Sequence, residues 1–300
     1  MPEEPSGRGQ KRTNVRLPYA GLLRISFRAL QTAAPPLAAR LAEILFRTPP
    51  RHPANGGERE ALASGRRGTI HDGHVTVATW SWGEGPRVLL VHGWGSRGVR
   101  LASFAPPLIE AGYSVTTFDA PGHGASPGRL SSLPQFIAAL EAVAGEAGPV
   151  VAIVAHSMGC SAAAIAMRRG LAVGHAVFLA PAANPGDYSR RFAEYFGIGD
   201  AVREAMQRNL ERRFGFRWND FDVPRAASSM TTPLLAFHDR EDSDVPWSDG
   251  GAVVRAWPGA ELVTTRGLGH RRIVHDPEVI ARAVAFLRQG ERAARASGGG

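Results

Sequence analysis

The 300 residues, 44% of them hydrophobic, can bury one large globular core or two small ones. Cys160 is the only cysteine, so an internal disulfide is excluded and nothing argues for an oxidising compartment. The net charge of +8 rests on arginine, with Lys11 the only lysine, and the arginines scatter instead of clustering among aromatics; this reads as the bias of a GC-rich genome, not as a nucleic-acid surface.

Residues 1–16 are polar and rich in Gly, Pro and Arg, the composition of a disordered tail. They hold acids and no apolar stretch of the secretory kind. Nowhere does the chain approach the ~18 uncharged apolar residues of a membrane span, so a cytoplasmic setting is expected. Residues 17–60 read as a helical extension and linker. Two helices fit between Leu17 and Phe46, broken at Pro35-Pro36. In the second, Leu37, Leu41, Ile44 and Leu45 recur at i, i+4, i+7 and i+8 and make one apolar stripe. The stripe is expected to dock on the chain's own domain; a membrane surface, with Arg40 and Arg47 alongside, is the lesser alternative. "TPPRHPANGG" then reads as the linker.

From residue 68, "GTIHDGHVTVATWSWG" carries an Asp-Gly turn between β-rich arms, a hairpin signal, and His71 and His74 are read as hairpin residues. Short apolar runs follow: "RVLLVHG", "SVTTFDA", "VVAIVAH", "HAVFLAP", "PLLAFHD" and "ELVTTRG". Their length and β-branched content suit buried parallel strands. Helix-like segments lie between them at 97–112, 131–147, 158–170 and 247–256, with a last one at 277–289. The alternation predicts an α/β class, a mostly parallel doubly wound sheet covered on both faces. Residues 185–229 interrupt it with helical periodicity (Phe192, Phe196, Val202, Met206, Leu210, Phe214) and read as an inserted helical cap. The core is then 68–184 with 230–290, and 291–300 is a C-terminal tail.

Chemistry in such sheets collects at the carboxyl ends of the strands. At the first of them, "VLLVHGWGSRG" fits two fingerprints. Gly93, Gly95 and Gly98 make a G-x-G-x-x-G after a strand, and Asp119 stands where a dinucleotide fold keeps its ribose-binding acid. His92-Gly93-Trp94 equally suits a loop that lends a backbone N–H to an oxyanion. Three features favour the oxyanion. A hairpin-like segment precedes the fingerprint, "DAPGHGAS" continues as a Gly-rich loop, and the redox reading leaves later strand ends unexplained.

Those later ends carry the rest. "AHSMG" places Ser157 between Ala155 and Gly159, small residues that a sharp strand-to-helix turn demands; the bland reading is a helix N-cap serine. A serine nucleophile needs a base, and the base an orienting carboxylate. "GLGH" ends at His270, and "DREDSDVP" offers Asp239, Glu241, Asp242 and Asp244. His156, His238 and His275 are read as structural.

In "VHGWGS", "FDAPGHGAS", "AHSMG", "HDREDSDVP" and "GLGHRRI", over roughly 68–290, the chain resembles the α/β-hydrolase superfamily, in its serine esterase and lipase-like branch with a helical cap. The resemblance implies an α/β-hydrolase fold with Ser157 as nucleophile and His270 as base. It puts the acid at Asp242, four residues after His238 and four before Pro246, with Asp239 as runner-up and Asp187 third. The amides of Trp94 and Met158 form the oxyanion hole, Gly93 lets the loop turn, and His92 and Gly159 support. Asp119, Gly122 and Gly124 become a structural loop on the same rim, and Cys160 a small buried side chain.

The expected reaction is hydrolysis of a small to medium carboxylic ester through an acyl-enzyme. Thioesters, lipid esters and a peptide N-terminus stay open as substrates. A dehalogenase would need a carboxylate at position 157. Tyr195, Phe196, Phe214, Phe216 and Trp218 of the cap suggest an apolar pocket for the acyl or alcohol group, or the core joining cap to sheet. No H-E-x-x-H and no Cys/His cluster supports a metal, and no cofactor is expected. The rivals from other classes are a non-catalytic ligand-binding protein on this fold and a nicotinamide-dependent oxidoreductase. The oligomeric state is not legible.

Overall fold

Short apolar runs separated by segments long enough to cross back over a sheet give the architecture. The computed structural model describes residues 20–297 except 74 and 147, so the expected tail 1–16 and His74 lie outside the described residues. The strands are β1 (Arg66–Asp72), β2 (Val75–Trp82), β3 (Arg87–Val91), β4 (Ser114–Phe118), β5 (Val150–His156), β6 (Val173–Leu179), β7 (Leu234–Asp239) and β8 (Glu261–Thr265). They form one sheet in the order β1-β2-β4-β3-β5-β6-β7-β8. β2 pairs antiparallel with β1 and β4, and the other pairings are parallel. The chain steps outward from β3 to β4, then returns to lay β5 on the other side of β3. The strand order therefore reverses at the ends of β3 and β5, where doubly wound sheets open a crevice.

Helices precede the sheet and join its strands. α1 (Ala20–Ala33), α2 (Pro35–Phe46) and α3 (Gly56–Ser64) come first, then α4 (Ala105–Glu110), α5 (Leu133–Glu146) and α6 (Met158–Arg168). Between β6 and β7 lie α7 (Pro185–Phe196), α8 (Asp200–Phe214) and α9 (Val223–Ala227); α10 (Trp247–Ala256), α11 (Gly269–Arg272) and α12 (Pro277–Ser297) complete the chain. Alternate residues of one strand serve opposite faces. Leu89 and Val91 of β3 pack with Phe136, Leu140 and Ile165 on the α5–α6 face. Val88 and Leu90 pack with Leu101, Leu108 and Ile280 on the α4–α12 face.

Several expectations change. Residues 97–112 divide into a 3-10 helix, Gly98–Phe104, and α4, because Pro106-Pro107 lack the N–H groups that a continuing helix would use but fit a first turn. β8 is half exposed, since it closes the sheet at an edge. The linker holds α3, whose start is set by a capping box: Asn55 Oδ1 accepts the Glu58 N–H at 2.9 Å, and the Asn55 N–H donates to Glu58 Oε2 at 3.1 Å. α12 continues to Ser297, through most of the expected tail. The hairpin turn also falls one residue later than its Asp-Gly signal, with Asp72 paired to Val75 and Gly73 opening the turn at φ +31°.

Of the apolar stripe of α2 only Leu45 docks, half-buried against the chain's own helices. Ala38, Ala39 and Ala42 are the buried face, packed with Phe27 of α1 against Phe196, Val202, Met206 and Leu210 of α7 and α8. Alanines let α2 lie close on α8, while Leu37, Leu41 and Ile44 remain exposed. Tyr195, Phe214, Phe216 and Trp218 pack on this same cluster. Phe46 of α2 meets Phe192 and Trp218 edge-on, at 5.1 and 6.1 Å between centroids. These aromatics therefore join the 185–229 helices to the N-terminal helices.

Candidate active site

β5 is buried along nearly its whole length and passes into α6 through one residue, Ser157, at φ +54° and ψ −123°. A non-glycine residue there is strained by about 1–3 kcal/mol and persists only if its surroundings hold it. The Ser157 N–H donates to the Leu179 carbonyl at 2.9 Å, and the Cys160 N–H to the Ser157 carbonyl at 2.9 Å. Gly159 makes the turn sterically open: a Cβ there would sit 2.5 Å from the Val91 carbonyl oxygen and 2.6 Å from that of His92. Both obstacles are backbone and cannot rotate away. Gly159→Ala is therefore expected to lower both ester turnover and melting temperature, with at least tenfold lost in kcat/KM; unchanged values for both would refute this account of the turn.

Facing Ser157 is His270, in the short α11 that follows β8 and its loop. Gly267 and Gly269 adopt left-handed φ of +79° and +61° and fold this loop back toward β5. His270 Nε2 is 3.1 Å from Ser157 Oγ, and Nδ1 is 2.8 Å from Asp242 Oδ2. The other carboxylate oxygen, Oδ1, accepts the Asp244 and Val245 N–H groups, both at 2.8 Å. Burial works to raise the Asp242 pKa, but hydrogen bonds from His238 and His270, and the charge of His270, outweigh it and hold the carboxyl well below the usual carboxylate range. An ionised Asp242 fixes the proton of His270 on Nδ1. Nε2 is then left to accept the Ser157 hydroxyl proton.

The other acids have different duties. Asp239 Oδ1 accepts the Glu241 N–H at 2.9 Å, and Oδ2 accepts the Thr265 hydroxyl at 2.8 Å and the Leu268 N–H at 3.0 Å. It braces the loop that carries His270 without touching the imidazole. Asp187 pairs with Arg190 on the half-exposed first turn of α7. Asp119 Oδ1 accepts the Gly98 N–H and Oδ2 the Ala125 N–H, each at 2.7 Å, so both its oxygens are spent inside the protein.

The loop 92–98 runs alongside Ser157. A Cβ on Gly93 would lie 2.8 Å from Ser157 Cβ, so glycine is what admits this close approach. Gly98 opens a 3-10 helix and is pressed against the Phe118 carbonyl. The segment that follows the loop is thus a 3-10 helix, not the α-helix that a dinucleotide fold opens after its glycine-rich turn. Met158, in contrast, begins α6, where a backbone N–H has no partner within the helix. Among the described residues, no group of three or more His, Cys, Asp or Glu is placed to hold a metal ion.

Three histidines prove more engaged than their sequence contexts indicate. His156 Nε2–H donates to the His270 carbonyl at 2.9 Å, tethering the loop from below. His238 Nε2 lies 3.1 Å from the Val245 carbonyl and 3.5 Å from Asp242 Oδ2, and a Cβ on Gly250 would press within 2.4 Å of its Nδ1. His123 Nδ1–H donates to the Pro121 carbonyl at 3.1 Å and its Nε2 accepts the Gly95 N–H at 3.1 Å, pinning loop 92–98 to loop 119–126. His92 makes the same kind of link, from Nδ1–H to the Gly93 carbonyl at 2.7 Å and from the Ala120 N–H to Nε2 at 3.0 Å. Only Gly and turn residues flank His123 in the sequence, so no local signal marks its role.

Both loop histidines must stay neutral, because each Nε2 faces an N–H donor. Burial, reinforced by the Arg97 charge, pushes His92 down to about 4; burial and the neighbouring His92 push His123 down to about 3. An unfolded histidine titrates near 6.5, so between there and about pH 4 the unfolded chain binds protons that the folded chain refuses. This contribution to stability is complete above pH 6.5 and is lost as pH falls through about 4 for His92 and about 3 for His123. The melting temperature is expected to fall from pH 7 to pH 4, and more gently in His123→Gln even if that variant starts lower; equal slopes would refute it.

The comparisons with known proteins come to the same architecture. The sequence profile of the alpha/beta hydrolase family matches residues 88–283. A stretch of 83 residues is 41% identical to a protein of Methylococcus capsulatus named pimeloyl-(acyl-carrier protein) methyl ester esterase; it covers 28% of this chain and only 30% of that relative's length. An esterase of Pyrococcus furiosus aligns with a TM-score of 0.61 at 20% identity, over 80% of this chain and 98% of that one. A bromoperoxidase of Bacillus anthracis aligns with a TM-score of 0.57 at 19% identity, over 75% and 100%. The two solved structures share the fold of this chain.

Proposed function

Because the chain belongs to the alpha/beta hydrolase family, we propose that it hydrolyses a carboxylic ester through a covalent acyl-enzyme formed on Ser157. Ser157 Oγ attacks the carbonyl carbon as its proton passes to His270 Nε2. The tetrahedral oxyanion is held by the amides of Trp94 and Met158, with the N-terminal end of α6 adding a favourable dipole. Collapse breaks the ester C–O bond, and His270 returns its proton to the departing alkoxide. Water, giving a proton to the same nitrogen, then cleaves the acyl-serine and restores the hydroxyl. Asp242 keeps the imidazole oriented and stabilises it while it is charged.

The observation that carries this reading is the unbroken hydrogen-bonded path from Ser157 Oγ through both nitrogens of His270 to Asp242. The strained φ of Ser157 supports it too, since strain of this kind gathers at reacting positions. In this reading 68–184 and 230–290 form the catalytic core and 185–229 its cap. Arg191 of α7, donating to the Asp244 carbonyl at 3.0 Å, links the cap to the loop of Asp242. The substrate is a small to medium ester, and the methyl ester in the name of the Methylococcus relative lies within that class. The reaction needs no cofactor or oxidising compartment, and a cytoplasmic setting goes with it. Turnover of p-nitrophenyl acetate and butyrate, with an NADH fluorescence titration beside it, is the test. Hydrolysis without NADH binding supports the reading, and NADH binding without hydrolysis refutes it.

A further inference from the structure

Seven large apolar side chains stand exposed among the described residues, and five of them sit on α1 and α2: Leu22 at 63%, Ile25 at 67%, Leu37 at 55%, Leu41 at 37% and Ile44 at 46%. The inner sides of both helices share one cluster with α7 and α8, so these five face outward from the layer they form. The inversion in α2, with Ala38, Ala39 and Ala42 inside and Leu37, Leu41 and Ile44 outside, is unfavourable in water unless something covers the outer side.

Charge says what kind of surface that is. Glu43 is the only acid in α1 and α2; it is buried, and it is satisfied by Arg213 at 2.7 Å and Arg47 at 3.6 Å. The exposed charges of the two helices are Arg24, Arg28 and Arg40. Beside the α2 stripe, a groove of about 540 Å³ between α2 and α8 is lined by Pro36, Arg40, Glu43, Asn209, Arg212 and Arg213. With Glu43 already paired to Arg213, Arg40 and Arg212 bring uncompensated positive charge to it. Exposed aliphatics interleaved with arginine, with no free acid among them, match the boundary of an anionic bilayer.

We propose that the outer face of α1 and α2 binds an anionic lipid surface. Leu22, Ile25, Leu37, Leu41 and Ile44 enter the level between headgroups and acyl chains, and Arg40 and Arg212 take headgroup phosphates at the groove. The protein lies on the membrane: no helix among the described residues is long and apolar enough to cross one. The proposal is independent of the reaction at Ser157.

Co-sedimentation of the full chain with vesicles tests it, comparing phosphatidylcholine mixed with phosphatidylglycerol against phosphatidylcholine alone. Binding is expected to the anionic vesicles, weakened by salt. The triple variant Leu37→Gln, Leu41→Gln, Ile44→Gln should lose at least tenfold in partitioning, with its melting temperature and p-nitrophenyl acetate turnover unchanged because these side chains are not buried. Arg40→Gln with Arg212→Gln should lose the preference for anionic over neutral vesicles. Absence of wild-type binding, or equal binding by the triple variant, overturns the proposal. So does light scattering that shows a dimer which the triple variant dissociates, with no vesicle binding, since the face would then be a contact between copies.

Discussion

Ser157→Ala is expected to reduce kcat for p-nitrophenyl butyrate by about 10⁶-fold, the loss that follows when a serine nucleophile and its base no longer act as a unit. A residue of catalysis, about 10³-fold over water, should survive through the amides of Trp94 and Met158 and through substrate binding. The variant should fold normally, because alanine keeps the Cβ of a position whose backbone bonds hold its φ of +54°. Ser157→Gly separates activity from stability. Glycine reaches this conformation without strain, at some cost in unfolded-chain entropy, so the net gain should be about 1 kcal/mol. That corresponds to a melting temperature higher by roughly 2–4 °C while turnover is lost. Full turnover in Ser157→Ala would remove Ser157 from the mechanism and the acyl-enzyme with it.

Asp242→Asn should cost about 10⁴-fold in kcat with little change in KM, because an amide lets the imidazole settle with its proton on the wrong nitrogen. Asp239→Asn should behave differently. It leaves an NH2 group facing either the Leu268 N–H or the Glu241 N–H, an unsatisfied buried contact worth about 1–3 kcal/mol of stability. Its kcat should fall less than tenfold, through looser positioning of His270. Kinetics and melting curves on the two variants decide between the acids: a collapse of kcat in Asp239→Asn alone would transfer the orienting role to Asp239. Below about pH 4 the Asp242 carboxylate adds to acid sensitivity, since its folded pKa is depressed and the stability it contributes is lost as pH falls.

Much of the frame was legible because it is encoded by near neighbours. Runs such as Val150–His156 are short, β-branched and apolar, and they became strands; the segments between them became helices over both faces. The small residues around Ser157 and the two glycines before His270 advertise turns that bulky residues cannot make. The helix start at Asn55 was equally readable, since Asn and Glu three apart form a capping box. It lies inside a Pro/Gly-rich stretch whose composition reads as a linker.

What the chain determines by itself is therefore local: which segments extend, which coil, and where a sharp turn leaves a serine, a histidine or a cluster of acids at a strand end. The resemblance favours Asp242 over Asp239, but both occupy one short loop, and tertiary structure decided where its folding aims them, one at backbone amides and one at an imidazole. It also decided that α2 turns its alanines inward, a choice governed by how closely α8 approaches and not by hydrophobic periodicity. The supporting histidines belong with these, since His156 reaches a carbonyl 114 positions away. Partners separated that far are set by packing of the whole sheet, which no window of sequence contains.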